Sequence, residues 1–168
     1  MERSIEQMLI THQKADTISF LKAHPDHFEE AITLAISDRQ PHSWRAASLL
    51  WSCMEKNDPR LQGQIKNIIS RLPVSHDGHR RELLKILLLL EPDEEDEGIL
   101  FDFCVELWKE TRKQPSVRYI AFQTIIRIAQ KYPDLLNEIA FLTQSPYLDS
   151  LSPGIKHTVE KVKMKLPA

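Results

Sequence analysis

A basic residue recurs along this chain at an interval close to the length of one helical hairpin. The recurring residues are Arg45, Arg80, Arg118 and Lys156. They are separated by 35, 38 and 38 residues, and each lies near the start of a segment with helical apolar spacing. Because a period of about 20 to 50 residues is the signature of stacked repeats, the spacing predicts a solenoid. Such folds present extended surfaces, so the period favours a binding role over a catalytic pocket.

The composition favours helices and a single domain. Of the 168 residues, 42% are hydrophobic and 27% are charged, which suits one domain, 1–168, with a sizeable core. Leu, Ile, Glu, Lys and Ala are frequent whereas Val and Thr are few, and this balance predicts an all-α chain. The formal net charge of −2 means that the charge of the whole chain does not recruit nucleic acid or a membrane.

The cysteines and the amino-terminal sequence favour a cytoplasmic location. Cys53 and Cys104 lie in apolar helical stretches, where cysteine behaves as a small buried side chain, and two cysteines form no disulfide framework. Residues 1–7 contain no apolar region of the kind found in signal peptides, and the apolar run at 86–90 is too short to cross a bilayer. We therefore expect a cytoplasmic protein that does not associate with membranes.

Proline residues mark the starts of the expected helices, because the proline ring suits the first helical turn. Pro25-Asp26 and Pro133-Asp134 begin similar segments 108 residues apart, which equals three periods of 36. The first helices of the hairpins are predicted at 25–37, 59–72, 95–113 and 133–145. The second helices are predicted at 42–57, 78–91, 115–131 and 153–166. We expect residues 4–23 to form one or two further helices.

Two helix junctions carry a resemblance to a known family. Residues 114–121 read Gln-Pro-Ser-Val-Arg-Tyr-Ile-Ala and resemble the start of the second helix of a HEAT repeat, where Pro-x-Val-Arg-x-x-Ala is typical. Residues 38–47 resemble the same junction. The resemblance covers 24–166 and implies a right-handed α-solenoid of about four hairpins with amino-terminal capping helices. The implied divisions are 1–23 for the cap and 24–57, 58–91, 92–131 and 132–168 for the hairpins.

The resemblance also implies a role for the recurring basic residue. HEAT repeats often pair an aspartate between the helices with this arginine, and the pairs form a ladder along the solenoid. Asp38 precedes Arg45 by seven residues, and Asp149 precedes Lys156 by seven. The second and third hairpins have no matching aspartate, so we expect a partial ladder.

Counting from the recurring residue locates the surface that we expect to bind a partner. Apolar residues occupy positions −1, +3, +6, +7 and +10, so positions +1, +5 and +9 should point away from the core. In the last three hairpins these positions carry Arg81, Lys85, Leu89, Tyr119, Gln123, Arg127, His157, Lys161 and Lys165. Since clustered Lys and Arg raise the local potential, this concave surface is predicted to bind an acidic segment or a phosphate backbone. Exposed helix positions are also commonly charged without any partner, and that alternative stays open.

The first hairpin breaks this pattern with Ala46, Leu50 and Met54 at the equivalent positions. We expect the amino-terminal helices to cover these residues. The alternative is that they form an apolar contact for a partner or for a second copy of the chain in a homo-oligomer.

No motif in the sequence predicts a metal ion, a cofactor or a catalytic residue. The acidic run at 91–97 lacks the ligand spacing and turn glycine of a calcium loop, so it is interpreted as a solvated loop at a helix start. The pairs His24/His27 and His76/His79 have the spacing of zinc ligands but no third ligand follows them. Glycine-rich phosphate loops, nucleophile elbows and zinc-protease motifs are absent from the sequence.

These observations predict a non-catalytic interaction scaffold that binds a protein or peptide partner on its second helices. The alternative is a DNA-binding protein related to alkylpurine DNA glycosylases, because HEAT-like folds include these enzymes, which hold DNA against a basic concave face. Their characteristic Trp-Asp and catalytic aspartate context has no match in this chain, which is also slightly acidic. A third alternative is a relative that has lost an ancestral activity and only oligomerises.

Overall fold

The structure, a computed structural model, describes residues 3–166 and contains twelve α-helices and no strand within that range. The helices are α1 Ile5–Thr11, α2 Lys14–Ala23, α3 Phe28–Ile36, α4 His42–Cys53, α5 Pro59–Gln62, α6 Ile65–Arg71, α7 Asp77–Leu88, α8 Glu94–Lys109, α9 Pro115–Lys131, α10 Leu136–Leu142, α11 Ser145–Leu148 and α12 Pro153–Lys165. The all-α prediction is therefore confirmed. Within the described residues, none of these helices has the length and apolar character needed to span a membrane.

Proline begins several of these helices. Pro115 and Pro153 are the first residues of α9 and α12, and these helices end within one residue of the predicted bounds. Pro25 and Pro133 instead begin short 3₁₀ turns that lead into α3 and α10. The missing N–H of proline costs nothing in a first turn, where the amide has no partner inside the helix.

Two of the predicted first helices are divided. The segment predicted at 59–72 forms α5 and α6, which are separated at Gly63, a residue with low helix propensity. The segment predicted at 133–145 ends with α10 at Leu142, and α11 follows as a separate turn that contains Pro146. Helix α10 cannot continue through Pro146, because the proline ring lacks the N–H and would clash with the preceding turn.

The chain forms two compact units, Met1–Asp96 and Glu97–Ala168. In the first unit, α4 packs against α3 and α7, and α1 and α2 also pack against α4. Ala46 and Ala47 on α4 are fully buried, and their small side chains allow neighbouring helices to approach closely. The single domain and the hairpin divisions inferred from the sequence stay predictions.

The core of the second unit is built around α9. Its Phe122 ring lies 4.9 Å from the ring of Trp108 on α8, and both side chains are buried. The Trp108 Nε1 donates a hydrogen bond of 2.8 Å to the carbonyl oxygen of Leu142 at the end of α10. This buried indole therefore connects two helices through its ring contact and its hydrogen bond.

The structure fits the expectation that the amino-terminal helices pack on α4. It contradicts the alternative, an apolar surface on α4 for self-association. Ala46 and Leu50 are 0% and 1% exposed, and Met54 is partly buried. Because α4 is surrounded by helices of its own unit, Ala46 and Leu50 belong to the core and cannot present an apolar face to a second copy.

Candidate binding site

The recurring arginines hold the ends of earlier helices. Arg118 Nε donates to the carbonyl oxygen of Trp108 at 2.9 Å, in the last turn of α8. Arg80 Nε donates to the carbonyl oxygen of Leu72 at 2.7 Å, and its Nη2 donates to that of Pro73 at 2.9 Å. Carbonyl groups at the end of a helix have no partner within it, so the guanidinium supplies the missing donors. These residues therefore have a structural role.

Arg45 also binds a backbone carbonyl oxygen near the end of an earlier helix. The predicted pairing of Arg45 with Asp38 is therefore wrong. Its Nη1 donates to the carbonyl oxygen of Leu9 in α1 at 2.9 Å. Asp38 lies instead 3.6 Å from Nη2 of Arg71. The recurring arginine of the first hairpin therefore joins α4 to the amino-terminal helices.

The nine residues of the predicted stripe are all at least partly exposed. The half-exposed residues are Arg81, Lys85, Leu89, Tyr119 and Arg127. The exposed residues are Gln123, His157, Lys161 and Lys165. Two of them contact each other on α9, where Gln123 Nε2 donates to the Tyr119 hydroxyl at 3.3 Å. Accessibility permits contact with a partner, while the binding role of these residues stays a prediction.

Two of the stripe residues belong to a group of charges around a partly buried tryptophan, Trp51. We define the Trp51 cluster as Lys14 of α2, Trp51 of α4, and Arg81, Glu82 and Lys85 of α7. The ammonium groups of Lys14 and Lys85 lie 4.4 and 4.7 Å from the centre of the Trp51 ring. An ammonium at this distance is attracted by the ring quadrupole, so both lysines are held near the indole.

A single carboxylate organises the Trp51 cluster. Glu82, which is 4% exposed, accepts a hydrogen bond from Trp51 Nε1. Its Oε1 also lies 3.1 Å from Arg81 Nε and 3.6 Å from Lys85 Nζ. A buried carboxylate needs such partners, because an isolated charge would be strongly disfavoured away from water. Glu82 therefore fixes the positions of the cations around it.

The cluster is cationic in balance. Its own five residues carry three cations and one carboxylate, which leaves a formal excess of two positive charges. Burial lowers the pKa of Lys14, and the positive charge of Lys85 acts in the same direction, while Glu82 opposes the shift. Arg81 and Lys85 keep about a third of their side chains exposed, at 32% and 33%. An anionic group can therefore approach these cations from solvent.

Sequence reasoning identified Arg81 and Lys85 but missed Lys14, Trp51 and Glu82. Lys14 lies 37 residues before Trp51, so nothing local in the sequence links the two side chains. Glu82 lies two positions after Arg80, between the cations Arg81 and Lys85. A single acid between two cations was the one sequence signal that could have identified Glu82 as part of the site. Only packing of α2, α4 and α7 brings the five side chains together.

The histidine pairs have structural partners. His24 stacks on Phe20 with ring centres 4.3 Å apart, and His27 Nδ1 lies 3.2 Å from a Glu30 oxygen. His79 is buried, and its Nε2 is 2.7 Å from the carbonyl oxygen of Ala35. Among residues 3–166, no three His, Cys, Asp or Glu side chains form a group that could hold a metal ion.

The acidic run is only partly solvated. Asp93 is exposed, and its Oδ1 accepts a hydrogen bond from the amide of Asp96 at 2.8 Å, at the start of α8. Asp96 is 5% exposed and binds Lys66 Nζ at 3.0 Å. Glu97 is 4% exposed and binds Lys131 Nζ at 3.0 Å. These two buried carboxylates are therefore held in ion pairs with exposed lysines rather than directed at a partner.

Together, the helices and their repeat spacing define a helical-repeat scaffold, a class that typically mediates protein interactions. The sequence profile of the HEAT repeat domain matches residues 2–166, and the chain belongs to this family. The resemblance seen at residues 114–121 is thereby confirmed. Neither a search of curated proteins nor a search of solved structures gave a match.

Proposed function

We propose that this chain is a non-catalytic interaction module that binds an acidic protein segment through exposed cations of its second helices. The observation that carries this proposal is the Trp51 cluster, in which Glu82 contacts Trp51, Arg81 and Lys85 while Lys14 lies over the Trp51 ring. The stripe residues of α9 and α12, which are half-exposed or exposed, are proposed as further contacts: Tyr119, Gln123, Arg127, His157, Lys161 and Lys165.

Preorganisation is the physical reason to expect binding at the cluster. Long basic side chains normally lose rotamer entropy when they bind a partner. Here Lys14 and Lys85 are already held near Trp51, and Arg81 is already held by Glu82. Less ordering is then required when an acidic side chain arrives, and the approach is also favoured by the positive potential.

We also propose a cytoplasmic location. Cys53 and Cys104 are free thiols in the structure, and burial raises the pKa of both. Thiols that stay protonated and unpaired are suited to a reducing compartment.

The test is a binding titration with a fluorescein-labelled peptide of alternating Asp and Glu, followed by anisotropy over a salt series. The test variant is Lys14→Gln/Arg81→Gln/Lys85→Gln. The control variant, Lys56→Gln/Lys109→Gln/Arg112→Gln, removes the same charges at exposed positions outside the stripe. Since each exposed ion pair contributes about 0.2–1 kcal/mol, we expect the test variant to bind about tenfold more weakly and the control to bind nearly as the wild type does.

Three results would contradict the proposal. The first is no binding of the peptide at low salt. The second is tighter binding of a labelled duplex DNA than of the peptide, with the same loss in the cluster variant, which would favour the DNA-binding alternative. Equal weakening in the test and control variants would likewise place the binding surface outside the cluster.

A further inference from the structure

We infer that the acidic segment carries a bulky apolar side chain, and that this side chain occupies a cleft of the first unit beside the Trp51 cluster. The inference rests on the proposed function and names the partner more closely. The proposed occupant is an acidic protein segment with an apolar anchor.

The cleft lies between the amino-terminal helices and α4. Its volume is about 390 Å³, at the lower end of the range of about 300–1,000 Å³ that is usual for ligand sites. Leu9, Ile10, Trp44 and Leu49 supply its apolar lining. Ile10 is 51% exposed, so part of this apolar lining faces solvent. An apolar side chain in the cleft would remove this surface from water.

The polar lining of the cleft indicates the charge of its occupant. His12, Lys14 and Arg45 line it, and the lining within the described residues 3–166 includes no carboxylate. An apolar ligand with a neighbouring acid therefore complements the site, whereas a basic ligand does not. Arg45 Nη1 is held by the carbonyl oxygen of Leu9, so its position at the cleft is fixed.

Lys14 connects the cleft to the cluster. Its side chain lines the cleft, and its Nζ also lies 4.4 Å from the Trp51 ring. A segment with an acidic side chain at Lys14 therefore brings a neighbouring residue to the cleft. One continuous peptide can use both features.

The experiment compares two fluorescein-labelled peptides of alternating Asp and Glu that differ only at a central position, which is Leu in one and Ser in the other. Because burial of a leucine side chain stabilises a complex by about 1.5–3 kcal/mol, we expect the Leu peptide to bind wild-type protein at least about tenfold more tightly. Anisotropy titrations at low salt give both dissociation constants.

Three variants locate this preference. Ile10→Ser removes the exposed apolar residue, and Ser48→Leu fills the cleft, since Ser48 also lines it. Ile99→Ser is the matched control, because Ile99 has the same 51% exposure but lies in the other unit. We expect both cleft variants to lose most of the preference for the Leu peptide and Ile99→Ser to keep it. Ile10→Ser changes an exposed residue, so the test holds even if Ser48→Leu fails to fold.

The outcomes separate this inference from the proposed function. Equal affinity for the two peptides overturns the cleft inference and leaves the acidic-segment function standing. A preference that persists in Ile10→Ser also overturns the inference, because the apolar contact then lies elsewhere. Failure of both peptides to bind overturns the proposed function as well. Self-association of the wild type that is lost in Ile10→Ser would assign the cleft to a second copy and overturn the inference.

Discussion

The Arg118 guanidinium lies over the Trp108 ring at 4.5 Å, and its Nε donates to the Trp108 carbonyl oxygen at 2.9 Å. Nη2 donates to the carbonyl oxygen of Tyr147 at 2.6 Å, and Nη1 donates to the Ser150 hydroxyl at 3.0 Å. Arg118 is fully buried, and burial lowers its pKa. One side chain of α9 therefore satisfies polar groups from α8, from α11 and from the turn after α11.

We predict that Arg118→Ala lowers the free energy of unfolding by about 3 kcal/mol, because the change leaves buried carbonyl groups without donors and opens a cavity. Urea unfolding followed by circular dichroism measures the effect. Arg112→Ala, at an exposed position, is the control and should change stability by less than about 0.5 kcal/mol. Equal stability of the two variants would show that the buried guanidinium makes no net contribution to the free energy of unfolding.

A second prediction concerns His79. Burial lowers its pKa, and its ring nitrogens lie near the carbonyl oxygen of Ala35 and the side-chain nitrogen of Gln40. Since the folded pKa is below the unfolded value of about 6.5, the unfolded chain binds the proton first as the pH falls. Stability from this group is therefore present above about pH 6.5 and is lost toward lower pH.

Urea unfolding between about pH 7 and pH 5 checks this prediction. The slope of the unfolding free energy against pH should be smaller in His79→Gln than in the wild type, by at most about 1.4 kcal/mol per pH unit for one proton. His157→Gln, at an exposed position, should keep the wild-type slope. An unchanged slope in His79→Gln would contradict the prediction.

The third prediction concerns Asp58. Its hydrogen bond with the Arg60 side chain is the main cause that lowers its pKa to about 2, and amide donors from Glu55 and Arg60 act in the same direction. The carboxyl is buried at 2% exposure, while Arg60 keeps 42% of its side chain exposed. Because this pKa is depressed, its stabilisation is present above the unfolded value near 3.8 and is lost as the pH falls toward about 2.

We expect Asp58→Asn to lower the free energy of unfolding by about 1–2 kcal/mol at neutral pH. This is less than the pKa shift alone implies, because solvent screens the exposed side chain of Arg60. The difference from wild type should narrow as the pH falls from about 4 toward about 2, because the wild-type carboxyl loses its charge only near its lowered pKa. Asp102→Asn, on the exposed side of α8, is the control for the loss of one charge. A difference that is constant with pH would assign the effect to geometry rather than charge.

The fourth prediction separates stability from binding in the Trp51 cluster. Glu82→Gln should lower stability, because Arg81 and Lys85 lose their shared carboxylate. The same change removes the contact that orders Arg81 and raises the positive charge of the cluster by one. We expect the added charge to outweigh the lost ordering, so the acidic peptide should bind several-fold more tightly. Thermal unfolding and anisotropy titration measure the two effects. Glu106→Gln, at an exposed position, should change neither, and weaker peptide binding in Glu82→Gln would contradict the charge argument.

Helix positions were predictable where a local signal was strong. Helix α9 occupies the predicted range 115–131 because Pro115 begins it and its apolar residues keep helical spacing. The breaks at Gly63 and before Pro146 were missed, since a single glycine or proline competes with an otherwise continuous apolar pattern. The exposure of Arg81 and Lys85 followed from counting along one helix.

Contacts between distant residues were not predictable in the same way. The predicted pairing of Arg45 with Asp38 rested on the aspartate–arginine pairs that are common in HEAT repeats. Arg45 instead donates a hydrogen bond to the carbonyl oxygen of Leu9. The burial of Leu50 depends on the helices that surround α4 rather than on the pattern of α4.

Local chemistry explains why the sequence alone was enough to establish an all-α chain of the HEAT repeat domain family. Helix propensity, proline positions and a repeating arginine act over a few residues or recur at regular intervals, so they can be seen without coordinates. The Trp51 cluster and the cleft beside it needed the tertiary structure. Lys14, Trp51 and Glu82 come from three helices. These side chains come into contact only after hydrophobic packing has placed α2 and α7 against α4.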